Sequence, residues 1–119
     1  MKLVKLYRPI GLIEYELIKE KEFKEFPPRL AHQPIFYPVL NLEYAIQIAR
    51  DWNTKDINSG FCGFVVEFEI REDEYLKYEI QTVGSNLHQE LWIPASELSS
   101  FNSAIVGKLK IVAEYCEEG

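Results

Sequence analysis

Three side chains on predicted strands of this 119-residue chain have the chemistry of a nucleotide-binding site: Arg8, Tyr37 and Glu90. Arg8 ends the opening strand next to a turn, where a guanidinium can bind a phosphate through two parallel hydrogen bonds. It is equally suited to pair with a surface carboxylate, because the chain contains 19 acidic residues. Tyr37 is either a core residue, as most aromatic residues in strands are, or a flat surface on which a ring stacks.

Glu90 is distinguished from the other carboxylates by its neighbours. Alternate positions of its predicted strand contain His88 and Trp92 rather than lysines. One interpretation is the solvated outer face of an antiparallel sheet. The other is a carboxylate that projects into a cleft beside aromatic surface. There it would accept a hydrogen bond from a sugar hydroxyl and stabilise positive charge that develops during a reaction.

A dense polar run after the clearest predicted helix is a further candidate for the lining of this cleft. The run is Arg-Asp-Trp-Asn-Thr-Lys-Asp over residues 50–56, with Asn53 as its candidate ligand contact. The alternative is ordinary capping of the helix C-terminus by surface charge.

Metal sites and phosphate loops are not indicated. His32 and His88 are far apart in the sequence, without acidic or cysteine ligands at metal-like spacing, so we predict no metal. Neither the G-x-G-x-x-G pattern nor the Walker pattern occurs. Cys62 lies in an apolar predicted strand, which is weak support for a thiol nucleophile.

The composition predicts one soluble domain over residues 1–119. Hydrophobic residues make up 47%, with seven Phe, seven Tyr and two Trp, which suffices for a core without metal or disulfide staples. The net charge of −6 argues against a nonspecific nucleic-acid partner. A small anionic ligand remains compatible with this charge, because a few local donors can hold a phosphate.

Cysteine usage and targeting signals predict a cytoplasmic location. Cys62 and Cys116 form neither a secreted disulfide framework nor a C-x-x-C motif, so we predict two reduced thiols. The N-terminus alternates charged and apolar residues, unlike a signal peptide. A run of about 18 apolar residues, as a transmembrane helix needs, does not occur, so we predict no membrane partner.

Hydrophobic periodicity predicts an α+β fold with one mixed or mostly antiparallel sheet and two to three short helices. The clearest strand has apolar residues at alternate positions of 64–70, and Gly60 and Gly63 before it permit close backbone approach. The clearest helix follows a predicted N-cap at Asn41. In chain order we predict strand 3–8, ended by Pro9; helix 12–22, with Ile13, Leu17 and Ile18 facing inward; strand 35–39; helix 42–52; strands 64–70, 78–83 and 87–93; a short helix after Pro94; and strand 108–115.

This layout resembles the ADP-ribosyltransferase superfamily. The shared features are an arginine on the first strand, an aromatic second strand, a helix with an alanine-rich face and a glutamate on a late strand. More narrowly, three segments resemble a family of small, uncharacterised bacterial proteins with a loose ADP-ribosylation label. These are Gln33 to Asn41, Ala49 to Asp56 and Glu90 to Pro94.

The resemblance implies NAD as the substrate and a role for each candidate residue. Arg8 would hold the dinucleotide, and Tyr37 would flank the nicotinamide. Glu90 would be the catalytic glutamate that orients the ribose 2′-hydroxyl as nicotinamide leaves. His88 lies where members that modify arginine have Gln or Glu, which argues against arginine as the acceptor. Trp92, like Asn53, is predicted to contact the cofactor.

Three functions follow as alternatives. The first is ADP-ribosyl transfer from NAD, or NAD hydrolysis, and it requires Arg8, Tyr37 and Glu90 to converge on one cleft. The second is a non-catalytic module that binds a nucleotide or an ADP-ribosyl group. The third is a protein-interaction component, in which exposed aromatic residues contact a protein partner and no small-molecule cavity exists. Its candidate contacts are Tyr44, Trp52 and Trp92.

Overall fold

The structure, a computed structural model, describes residues 2–85 and 87–117, and over that range it confirms the α+β class. Its elements are β1 (Leu3–Ile10), α1 (Leu12–Glu20), β2 (Ile35–Phe36), α2 (Leu42–Asp51), β3 (Cys62–Arg71), α3 (Glu72–Tyr75), β4 (Ile80–Thr82), β5 (Gln89–Leu91), β6 (Ile93–Pro94), α4 (Leu98–Ser103) and β7 (Ile105–Cys116). In these two ranges, no helix is long and apolar enough to cross a membrane.

The central sheet is antiparallel, with the strand order β1-β3-β7. The alternate apolar residues of β3 are all buried on one face, as their period of two predicted. Phe68 of this face contacts Phe26 and Phe101 in edge-on geometry, with ring centroids 5.0 and 6.0 Å apart. Such aromatic pairs add about 0.5–1.5 kcal/mol beyond their buried area. The main core therefore lies on this side of the sheet.

The strand β1 is longer than predicted, because Pro9 lies inside it, opposite Val65 of β3. The N–H of Tyr7 points away from β3 and donates to the carbonyl oxygen of Val39 at 2.9 Å. Alternate residues of a strand direct their N–H groups to the same side, so an N–H at position 9 would point away from β3, as that of Tyr7 does. The missing N–H of Pro9 therefore removes no hydrogen bond between β1 and β3. The prediction that Pro9 ends the strand is therefore wrong.

Val39 joins the central sheet to the remaining strands. It exchanges two backbone hydrogen bonds with Tyr7 and forms an isolated bridge with Glu90 of β5. β5 pairs antiparallel with β4, and β2 pairs antiparallel with β6. The predicted strands 35–39 and 87–93 are thus each interrupted. Val39 therefore lies between Tyr7 of β1 and Glu90 of β5 and pairs with both residues.

The helix α2 begins at its predicted N-cap. The Asn41 Oδ1 accepts hydrogen bonds from two backbone N–H groups of the first turn, at 2.8 and 3.2 Å. The small residues Ala45 and Ala49 are fully buried and pack on the second face of the sheet. The cap and this packing fix the first turn of α2, including Tyr44, which contributes to the site described below.

The inward face of α1 differs from the prediction. Ile18 is fully buried, but the Ile13 and Leu17 side chains are 63% and 40% exposed. Leu12 and Tyr15 contact the core instead. Together with Ile18 they are spaced three residues apart, so the three side chains lie on one side of the helix. A nine-residue helix offers several such spacings, and the side on which it packs was not evident from the sequence.

A disulfide joins Cys62 and Cys116 and overturns the prediction of two reduced thiols. The two residues lie opposite each other at the ends of β3 and β7, with Cα atoms 4.1 Å apart. Sequence spacing could not show this pairing, because it depends on the register of two strands that are distant in the chain. Without the free thiols, one argument for a cytoplasmic location is lost, and that location stays a prediction.

Loss of this disulfide is expected to destabilise the fold by about 4 kcal/mol, the loop-entropy value for a crosslink of this span. The span is 54 residues. Denaturant unfolding with and without a dithiol reductant measures the effect, and the double variant Cys62→Ala, Cys116→Ala should match the reduced protein. Equal stability of the oxidised and reduced protein would contradict the pairing.

Candidate functional site

A cavity of about 730 Å³ lies beside the end of β1 and the start of α1. This size is within the range of about 300–1,000 Å³ that is typical of small-molecule sites. Three predicted site residues, Arg8, Tyr37 and Asn53, line it. Its other polar lining side chains are Glu14, Arg29, His32, Gln33, Asp56, Asn58 and Ser59.

Arg8 is a buried and fixed cation in the wall of this cavity. Its side chain is 6% exposed, and its Nε and Nη2 donate to the two carboxylate oxygens of Glu14 at 2.7 and 2.9 Å. Burial lowers the pKa of Arg8, but the charge and hydrogen bonds of Glu14 outweigh burial, so the pKa is raised overall. Within residues 2–85 and 87–117, its Nη1 makes no hydrogen bond.

Arg29 is a second, largely buried cation beside the same carboxylate. Its side chain is 10% exposed, its Nη2 donates to the Ile35 carbonyl oxygen at 3.1 Å, and its Nη1 lies 3.9 Å from Glu14 Oε1. Its Nε is buried without a hydrogen-bond partner in the described part of the chain. Burial, followed by the positive charge of Arg8, lowers the pKa of Arg29. Two guanidinium groups therefore share the carboxylate of Glu14 at this end of the cavity, whereas the second lining carboxylate, Asp56, lies on the loop side.

Two aromatic rings of the second strand region contact these cations. The Arg8 guanidinium carbon lies 4.6 Å from the ring centre of Phe36, and that of Arg29 lies 5.9 Å from the same ring. Arg8 is also 5.5 Å from the ring centre of Tyr37. Phe36 is buried, whereas Tyr37 is 41% exposed. Tyr37 is therefore not a core residue, and part of its surface is open to a ligand.

Glu90 is buried and hydrogen-bonded through both carboxylate oxygens. The Tyr44 hydroxyl donates to Oε2 at 3.1 Å, and the Trp92 indole N–H donates to Oε1 at 2.7 Å. The ring of Tyr44 stacks on His88 with centroids 4.4 Å apart. Glu90 is only 9% exposed, which excludes the interpretation as a solvated outer-face residue. Burial, and then the charge and hydrogen bond of Glu90, raise the pKa of Tyr44 to about 12.

The predicted site residues thus form two adjoining groups. Arg8, Tyr37 and Asn53 line the cavity, whereas Glu90 belongs to the aromatic cluster of Tyr44, His88 and Trp92 and is not among the cavity-lining residues. The segment that contains Tyr37 runs between the two groups: the Tyr37 ring centre lies 5.5 Å from the Arg8 guanidinium carbon, and the carbonyl oxygen of the next residue, Pro38, accepts from the backbone N–H of Leu91 at 3.0 Å.

Comparison with known proteins adds no relative: no protein-family model, no curated protein and no solved structure matches this chain. The relation to ADP-ribosyltransferases therefore stays a prediction from the sequence, and the chemistry of the site has to be argued from its own side chains.

Asn53 belongs to a hydrogen-bonded network on the loop side of the cavity. The Ser59 hydroxyl donates to Asp56 Oδ2 at 3.0 Å and accepts from Asn53 Nδ2 at 2.9 Å. Because a carboxylate only accepts hydrogen bonds, this chain fixes the orientation of the Asn53 amide. Its Oδ1 is buried without a partner among the residues that the structure describes. Asn53 therefore shapes the cavity wall rather than only capping α2.

Three residues of the site were missed from the sequence: Glu14, Arg29 and Tyr44. Glu14 had no local signal, because its role depends on the packing of α1 beside β1. Arg29 follows Pro27 and Pro28, which restrict the backbone before it. These prolines are the feature of the sequence that indicates a fixed position for Arg29. For Tyr44, the sequence predicts an exposed contact with a protein partner. Its position three residues after the N-cap Asn41 predicts a fixed backbone, and this is the signal that favours a place in the site.

Proposed function

We propose that this protein binds NAD and cleaves the bond between nicotinamide and ribose, transferring the ADP-ribosyl group to water or to another acceptor. The observation that carries the proposal is the pair of arginines, the buried Arg8 and the largely buried Arg29, around the carboxylate of Glu14 at one end of the cavity. Two guanidinium groups beside one carboxylate favour an anionic ligand at this end, whereas the other lining carboxylate, Asp56, accepts hydrogen bonds from Ser59 and the Asn58 N–H on the loop side.

As a ligand of this arginine pair, a diphosphate fits better than a molecule with a single carboxylate group. Each guanidinium retains an Nη1 group that makes no hydrogen bond within the described ranges. Two such donors, held by Glu14 and by the ring of Phe36, match two neighbouring phosphates through charge-assisted hydrogen bonds. Tyr37 adds a partly exposed ring next to Arg8, on which a planar base or nicotinamide can stack.

The cluster at Glu90 would supply the chemistry of bond cleavage. Because Glu90 is outside the cavity lining, a dinucleotide with its phosphates at Arg8 and Arg29 would have to extend past Tyr37 to bring its nicotinamide end to this carboxylate. The bond between ribose C1′ and the nicotinamide nitrogen breaks, and its electron pair leaves with nicotinamide. The carboxylate of Glu90 stabilises the resulting oxocarbenium-like charge and accepts a hydrogen bond from a ribose hydroxyl. A water or acceptor hydroxyl then forms the new C–O bond at C1′ and releases its proton to solvent.

A second candidate function is a binding module without turnover. It is favoured by one observation: Glu90 is not among the cavity-lining residues, and both of its oxygens already accept hydrogen bonds. In that case, the protein would retain the ADP-ribose part of the ligand at Arg8 and Arg29 and leave NAD intact. The protein-interaction hypothesis, by contrast, predicted no cavity at this position.

Calorimetric titration with NAD and with ADP-ribose tests the shared part of both functions. Arg29→Gln is expected to weaken both ligands by about 10- to 100-fold, the usual effect of losing a hydrogen bond to a charged group. Arg50→Gln is the matched control, because Arg50 is exposed, pairs with Asp51 and is not among the cavity-lining residues. No heat with either ligand, or equal affinity of the Arg29→Gln variant, would overturn the proposal and favour a protein partner.

A further inference from the structure

We propose that Tyr44 and Trp92 are positioning residues, which hold the Glu90 carboxylate in a single orientation. This inference rests on the proposed function of Glu90, and neither residue is required to touch the substrate for it. The two contacts are independent: the Tyr44 hydroxyl reaches Oε2 from α2, and the Trp92 indole N–H reaches Oε1 from the segment after β5.

The two donors together define the plane of the carboxylate. One donor can be satisfied by many rotations of a glutamate, whereas two donors from different elements, one on each oxygen, are satisfied by one orientation. Each oxygen has two lone-pair directions, so one on each remains for a ligand hydroxyl. The arrangement therefore fixes Glu90 without blocking it.

The donors are themselves held in place. The backbone N–H of Tyr44 is capped by Asn41 Oδ1 at 3.2 Å, and its ring stacks on His88. A ring nitrogen of His88 lies 3.3 Å from the Gln47 Oε1 one turn further along α2. Trp92 follows Glu90 by two residues and therefore projects to the same side of the chain. A rigid surrounding of this kind is what an active carboxylate needs to act without reorganising.

The donors also offset the cost of holding a carboxylate that is largely removed from water. Burial of a charge is costly unless the charge is hydrogen-bonded, and hydrogen bonds to an ionised group are among the strongest in proteins.

Two-dimensional ¹H–¹⁵N NMR of the indole groups tests the contact itself, because the chain has only two tryptophans. We expect the Trp92 indole N–H signal to shift in Glu90→Gln, because a hydrogen bond to a carboxylate is replaced by a weaker one to an amide. Tyr44→Phe keeps the ring and its stacking but removes the donor to Oε2, so the carboxylate is held less firmly and the Trp92 signal should shift or broaden. Trp52, which is 70% exposed, is the internal control, and its signal should stay in place in both variants.

Kinetics then tests the role. Tyr44→Phe is expected to lower the kcat of nicotinamide release by about tenfold or more and to leave the Kd of NAD within about twofold, since the lost interaction orients Glu90 and not the ligand. If the Trp92 signal responds to both variants as expected but wild-type protein releases no nicotinamide, the proposed reaction fails and the positioning contacts stand. A Trp92 signal that is unchanged in Glu90→Gln, or unchanged in Tyr44→Phe, overturns the inference.

Discussion

The variant Glu90→Gln is expected to release nicotinamide from NAD at least about 100-fold more slowly than wild-type protein, with the Kd of NAD changed by less than about threefold. Removal of one electrostatic contributor in an active site typically costs about 10²–10³ in kcat. Glutamine keeps the size of the side chain and an oxygen for the ribose hydroxyl, but it has no negative charge to stabilise an oxocarbenium ion. The affinity is expected to persist because Arg8 and Arg29 bind the phosphates.

The matched control is Glu114→Gln, which removes the same charge from an exposed position on β7. It should have the kinetics of the wild type. A Glu90→Gln variant with normal turnover would exclude Glu90 as the active carboxylate. If wild-type protein binds NAD without releasing nicotinamide, and Glu90→Gln binds it equally well, the second candidate function, binding without turnover, is the correct one.

The elements of the fold that could be predicted are those with strong local signals. The buried face of β3 followed from strict alternation, and the start of α2 followed from the capping side chain of Asn41. The short helix predicted after Pro94 is present as α4, on which Leu98 and Phe101 are buried. In each of these cases, the residues that specify the structure are within a few positions of one another.

The features that could not be predicted depend on contacts between distant segments. The disulfide requires β3 and β7 to pair in one register, and the pairing of Arg8 with Glu14 requires α1 to fold back beside β1. Glu90 could be singled out from its neighbours in the sequence, His88 and Trp92, and it is buried in the structure. Its donor Tyr44 could not be predicted as such, because 46 residues separate the two in the sequence.

The variant Gly63→Ala is expected to destabilise the protein by about 3 kcal/mol or more, the upper part of the range for overpacking a core. A Cβ atom at Gly63 would lie 2.7 Å from the carbonyl carbon and 2.8 Å from the Cα of Ala49 in α2. These are backbone atoms, so rotation of a side chain cannot relieve the clash, and α2 would have to move off β3. Urea unfolding monitored by circular dichroism measures the loss.

Gly107→Ala separates this steric effect from a general cost of replacing glycine. Gly107 has φ near +80° and no atom within 4 Å of an added Cβ, so the substitution should cost only about 1–2 kcal/mol through backbone strain. Similar losses in the two variants would contradict a close approach of α2 to β3. Because α2 also presents Tyr44 to Glu90, Gly63→Ala should additionally disturb the Trp92 indole signal, which Gly107→Ala should leave unchanged. The packing of one helix against one glycine thus determines both the stability of the sheet and the position of a donor in the candidate site.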